Sequence, residues 1–139
     1  MSLSSEIYLG FDFGYKRIGL AVGQKLTFSA RPLKTLVANE GVPNWREVQK
    51  VIEQWCPCGL VVGRPTRIQG GKLYTTKAAE RFAQSLEKRF LLPVFLADER
   101  LSTVEARSEL FAEGGYRKIK KSDVDSVAAC VILEHWFNQ

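Results

Sequence analysis

Three acidic positions carry the chemistry this sequence can offer: Asp12, Asp98 or Glu99, and Asp125. Asp12 sits in I-Y-L-G-F-D-F-G-Y-K-R-I-G-L-A-V-G, residues 7–23, an otherwise apolar strand-turn-strand. Alternation puts Ile7, Leu9, Phe11 and Phe13 on one face and Tyr8, Gly10 and Asp12 on the other, so the carboxylate lies opposite the apolar row. Asp98 and Glu99 close a second apolar run, L-P-V-F-L-A, and Asp125 lies in the first turn of a final helical pattern, on the face of Ala128, Ala129 and Ile132. Carboxylates gathered at ~4 Å in an effective dielectric of about 20 cost about 4 kcal/mol per pair, so a cation must join them. Oxygen ligands without His or Cys select Mg²⁺ or Mn²⁺ over zinc. Each acid also has a plain structural reading. Asp12 opens the turn D-F-G-Y-K-R. Asp125 completes the capping box S-D-V-D and is favoured there by the helix dipole. Asp98 and Glu99 can pair on the surface with Arg100 and Arg107, a contact worth ~0–1 kcal/mol. Taken together, the placement of the acids is less easily dismissed.

The elements that must position these acids follow from periodicity. After the first strand, residues 17–24 and 27–37 read as two more β runs on short connections, an antiparallel meander in which Pro32 predicts an edge strand. Val48, Val51, Ile52 and Trp55 fall at helical spacing over 43–55, with Asn44 as the cap, and the pattern stops at C-P-C-G. Leu60–Val62 is a short strand that opens into G-R-P-T-R-I-Q-G-G. A longer amphipathic helix is predicted over 72–90, a strand over 92–97, a capped helix from Ser102 to about Ala112 closed by Gly114-Gly115, and a last helix over 122–137. This order predicts one α/β domain with a mixed five-stranded sheet, antiparallel meander plus two parallel strands, flanked by helices. In such sheets sites gather at the carboxyl ends of the strands, where the strand order switches.

A chain of 139 residues, 45% hydrophobic and 25% charged, fits one core-burying domain. We place it at 6–139, with 1–5 as a flexible N-terminus. No run approaches the ~20 apolar residues of a membrane span and no signal-peptide layout is present, so a soluble, cytoplasmic protein without a membrane partner is expected. Three cysteines with C-P-C spacing match neither a zinc pair nor C-x-x-C, and the lone His135 leaves a histidine triad nothing to draw on. Twenty Lys and Arg against fifteen Asp and Glu give +5, which suits a polyanionic partner. The positive charge gathers in connections: Arg117, Lys118, Lys120 and Lys121 before the last helix, and Arg64, Arg67 and Lys72 in the Gly-rich loop. A solvated surface accounts equally well for the first cluster.

D-F-G-Y-K-R-I-G-L-A-V-G, V-V-G-R-P, D-E-R-L-S-T-V-E-A-R and V-D-S-V-A-A-C-V-I-L-E resemble, in this order and over residues 7–137, the YqgF family, also called RuvX. That family belongs to the RuvC-like branch of the ribonuclease H-like superfamily. The resemblance implies a ribonuclease H-like fold and a metal-dependent nuclease of structured nucleic acid. It also implies a part in maturing the 5′ end of pre-16S rRNA, in ribosome biogenesis. A Holliday-junction resolvase acting on branched DNA is the alternative, and a non-catalytic RNA-binding assembly factor a further one. By motif position the resemblance selects Asp12, Glu99 and Asp125 as catalytic metal ligands for two Mg²⁺ or Mn²⁺ ions, leaving Asp98 and Asp123 as neighbours. Lys16, Arg17, Arg64, Arg67, Arg100 and Lys121 are the expected nucleic-acid contacts. Precursor rRNA or branched DNA, and ribosomal particles, are the expected partners, with the chain a monomer or weak homodimer. Gly63-Arg64-Pro65-Thr66-Arg67 departs from the family's G-L-P loop, and Gly23-Gln24 from its Ser-Asp. Neither change touches a proposed ligand, and the added arginines favour phosphate binding.

Overall fold

A computed structural model describes residues 6–64, 74–98 and 121–138, with the backbone alone at 64, 74–76, 98 and 121–123. The helix expected over 102–112 lies outside the described residues, as do Glu99, Arg67 and Arg100.

Strand β1 is Ile7–Asp12, β2 Arg17–Gln24, β3 Ser29–Asn39, β4 Val42–Pro43, β5 Gly59–Arg64 and β6 Val94–Asp98, and they form one sheet in the order β4-β3-β2-β1-β5-β6. The helices are α1 Trp45–Trp55, α2 Tyr74–Phe90 and, last among the described elements, α3 Lys121–Phe137. β1 pairs antiparallel with β2 and parallel with β5, which pairs parallel with β6. The expected α/β architecture with a mixed sheet is therefore present, with six strands rather than five. The sixth, β4, escapes a periodicity argument because it is two residues long. It is turned back onto β3 by Glu40 and Gly41, both at positive φ (51° and 85°), the geometry of a two-residue hairpin turn.

Local chemistry explains the element ends. Asn44 caps α1 by accepting a 3.0 Å bond from the Arg46 backbone N–H, and Cys56 ends the helix in a left-handed conformation (φ 47°) with its N–H on Ile52 O. Pro32 lies beside a register shift between Leu20 and Ala21 of β2, on a strand whose other edge is paired only at Ala38 and Asn39. Proline, which has no N–H to give, is tolerated at such a place.

The two faces of the sheet are built differently. Leu9 and Phe11 of β1, with Phe13 just after it, join Ile18, Leu20 and Leu60 in a core closed by Val48 and Val51 of α1 and by Phe82 and Leu86 of α2. The opposite face is covered by α3, whose Ala129, Ile132, Leu133 and Phe137 pack on Ala21, Val61 and Ala97. Glycines line this face and leave it little side-chain bulk. A Cβ on Gly10 would come within 2.6 Å of Leu133 Cγ, and one on Gly19 would collide with the Asp125 carbonyl oxygen and approach Ser126 N to 2.8 Å.

Candidate active site at the carboxyl edge of the sheet

Asp12 is the last residue of β1, and its neighbours across the sheet are Gly19 on one side and Gly63 on the other. Gly63 in turn faces Ala97 of β6, so the carboxyl ends of β1, β5 and β6 lie level. Directly opposed residues of paired strands share a face. Asp12 therefore projects on the side where Gly19 meets the backbone of Asp125, the side covered by α3. Alternation already predicted that Asp12 opposes the apolar row, and α3, which begins at Lys121, brings Asp125 to the same place as its fifth residue rather than in its first turn. Both carboxylates are partly buried.

Arg17, which opens β2 two residues before Gly19, completes the group. Its Nε donates to Asp125 Oδ2 at 2.7 Å, with the two side chains 43% and 23% exposed. Arg17 was expected on phosphate; here its guanidinium rests on one of the proposed ligands. The pairing spans 108 residues and has no signature in local spacing. Lys16 is exposed in the connection after Asp12. The connection itself is tied down: the Ala38 N–H donates to Lys16 O at 2.8 Å and the Gly41 N–H to Tyr15 O at 2.9 Å.

Of the remaining expected residues, Arg64 ends β5 and Lys121 begins α3, their side chains lying outside the description. Gly63, opposite Asp12, places the backbone of Arg64 at the same edge of the sheet. Among the described residues no three His, Cys, Asp or Glu side chains converge, and the third expected ligand, Glu99, is outside them. The donors present are carboxylate oxygens, and that chemistry fits a hard divalent cation. Cys56 is exposed, Cys58 half-buried and Cys130 buried, all three as free thiols, and His135 is exposed near the end of α3, away from Asp125 along the helix. Sequence reasoning missed Gly19 as the seat of Asp125. The signal was present in the same-face row of Gly19, Ala21 and Gly23.

Compared with known proteins, residues 6–139 match the family model described as RuvX, Holliday junction resolvase. The chain belongs to the RuvX family. Membership makes it a nuclease of the ribonuclease H-like kind, as the motifs implied. A Legionella pneumophila relative named "Putative pre-16S rRNA nuclease" is 66% identical over 133 residues, covering 96% of both chains. A Vibrio vulnificus relative of the same name is 54% identical over 134 residues, again covering 96% of each. Among solved structures, RuvC of T. thermophilus in complex with a Holliday junction substrate superposes with a TM-score of 0.55 at 18% identity, covering 94% of this chain and 92% of that one. Fowlpox virus resolvase with Holliday junction DNA gives 0.54 at 13% identity, covering 95% and 97%. At such identities the likeness is one of fold. The RuvX assignment rests on the family model and the close relatives, and among the described residues no helix is long and apolar enough to cross a membrane.

Proposed function

We propose that this protein is a metal-dependent nuclease that hydrolyses phosphodiester bonds of structured nucleic acid, acting on the 5′ end of pre-16S rRNA. The observation that carries the reading is the meeting of Asp12 and Asp125 at the level carboxyl edge of β1, β5 and β6. A pure nucleic-acid binder has no evident use for carboxylates turned toward a polyanion. The names of the close relatives support precursor rRNA as the substrate. The family description supports branched DNA as the second reading.

Asp12 and Asp125 would hold the cations together with Glu99. The position of the glutamate in the D-E-R motif of the family favours Glu99 over Asp98. Bound there, two Mg²⁺ or Mn²⁺ ions supply an activated water and stabilise the leaving 3′ oxygen. The protein's own part is placement. Gly19 lets α3 set Asp125 against the strand edge. Arg17 offsets the charge of Asp125 while the cations are absent and, once released, is free to meet phosphate. Lys16, Arg64, Arg67, Arg100 and Lys121 would line the path of the backbone. In-line attack leaves a 5′ phosphate and a 3′ hydroxyl.

Mapping the products of a precursor-rRNA fragment beside a four-way DNA junction, with wild type and Asp12→Asn, tests this reading. Cleavage of the RNA, reduced by about 100-fold or more in the variant while binding persists, is expected. Cleavage of the junction alone moves the assignment to branched DNA, and undiminished cleavage by Asp12→Asn removes Asp12 from the site.

A further inference from the structure

On the far side of the sheet edge from Asp12 lies a cleft of about 540 Å³ that shares Lys16 with the proposed nucleic-acid path. Its inner wall is aromatic: Phe13, Tyr15, Trp45 and Phe82. Phe13 meets Tyr15 edge-on at 5.9 Å, and Trp45 stacks with Phe82 at 5.8 Å and carries the Arg89 guanidinium over its ring at 4.3 Å. The rim is polar. Lys16 and Arg81, both exposed, bring two positive charges against the one negative charge of Glu40, while Asn39 and Ser85 offer an amide and a hydroxyl. The cleft is preformed, since the hydrogen bonds from Ala38 and Gly41 to the carbonyls of Lys16 and Tyr15 fix one wall, and Gly41, at φ 85°, leaves no room for a Cβ beside Phe13 Cζ (2.8 Å).

We propose that this cleft is a nucleotide subsite, which takes one unpaired nucleotide of the substrate strand next to the phosphate being cut. The proposal rests on the nuclease reading for the identity of the strand. Position is the first argument. Asp12 ends β1 on the α3 side and Phe13, the next residue, joins the core of the opposite face, so a strand crossing this edge has a phosphate on the Asp12 side and the adjoining nucleoside on the Phe13 side. The second is chemistry: cations select a phosphate, an aromatic wall selects a base, and only a nucleotide offers both. Volume agrees, being within the ~300–1,000 Å³ of small-molecule sites. A fully paired helix cannot use the cleft, because its bases are stacked inside. The subsite therefore favours a substrate with a single-stranded extension at the cleavage point over one paired throughout.

The test is binding, measured by fluorescence anisotropy with Asp12→Asn protein so that nothing is cut. Three RNA duplexes serve as probes: one blunt, one with a four-nucleotide unpaired extension, and one whose extension lacks bases. The extended duplex is expected to bind about ten-fold tighter than the blunt one, and the abasic extension to lose most of that gain. Arg81→Glu, at an exposed position, and Ser85→Trp, which fills the cleft, should each abolish the preference and leave blunt-duplex affinity within about two-fold. Equal affinity for all three probes, or a preference that survives both variants, overturns the proposal and leaves the cleft to some other partner, such as an acidic peptide. Because the readout is affinity, its failure is separate from failure of the nuclease reading, which the cleavage assay decides.

Discussion

The two faces of the sheet solve opposite problems. Toward α1 and α2, β1 and the residue after it offer Leu9, Phe11 and Phe13, each 7% exposed or less, and the helices pack on those side chains rather than on the backbone. Toward α3 the strands offer Gly10, Gly19, Ala21 and Gly23, and the backbone of Asp125 touches the sheet itself. Bulk on the first face supplies most of the buried apolar area. Its absence on the second gives that face its chemistry, because a carboxylate from a helix reaches one from a strand end only if nothing stands between the two backbones.

The sharpest way to break this contrast is one small substitution on each side. Gly19→Ala sets its Cβ against the Asp125 carbonyl, an atom that only a shift of the helix can move. About 3 kcal/mol of stability and about 10 °C in melting temperature should be lost. Cleavage should fall below detection even at temperatures where circular dichroism reports a folded chain. On the other face Leu36→Met, at a site 2% exposed, should cost under about 1.5 kcal/mol and leave kcat unchanged. If both variants retain activity in proportion to their folded fraction, α3 does not set the site.

The same contrast decides what the sequence could disclose. The apolar face was legible because strand and helix periods are properties of neighbouring residues: the row from Ile7 to Phe13, the helical spacing from Val48 to Trp55 and the Asn44 cap all stand in the structure. Asp12 was legible as the odd member of its own alternation. Its partnership with Asp125 was suggested by the placement of the acids at strand and helix ends, and the family motifs chose Asp125 over Asp123, but nothing local says that a helix begun at residue 121 lies across strands that ended at residue 24. The ion pair of Arg17 and Asp125 and the aromatic cleft were hidden for that reason. The cleft gathers residues from the β1–β2 connection, the β3–β4 hairpin, α1 and α2, and no spacing rule links them. β4 was missed because two residues carry no period.

A smaller effect probes the charged end of the glycine-lined face. Arg17 holds Asp125 through a half-exposed pair, worth up to about 1 kcal/mol. A divalent cation has to displace that contact from Oδ2, or bind beside a guanidinium that repels it. Arg17→Gln should therefore lower the Mn²⁺ concentration that half-maximally raises the melting temperature by about three- to five-fold, since ~1 kcal/mol is about five-fold in affinity. Weaker Mn²⁺ binding in the variant would instead make Arg17 a support that orients the ligand. No stabilisation by Mn²⁺ in either protein would count against the metal site altogether.

The smallest effect lies at the opposite end of the same face, where Tyr8 packs on Trp136 (5.0 Å) and Phe137 (5.8 Å). Burial, with smaller contributions from the hydrogen bond with Cys58 and from the negative charges of Cys58 and Glu6, pushes its phenol from 10.0 up to about 12. The raised value means that the fold favours the neutral phenol. Its contribution to stability is then complete below about pH 10, where the unfolded chain keeps the proton too, and is lost as pH rises through about 12. Tyr8→Phe cannot ionise, so its urea midpoint should fall less steeply than that of the wild type between pH 10 and 12, whatever the other tyrosines and lysines contribute to both. Parallel decline would show that α3 does not shield this ring. A flatter decline in the variant would show that α3 closes tightly over the sheet at both of its ends, excluding a charge beside Trp136 while presenting one at Asp125.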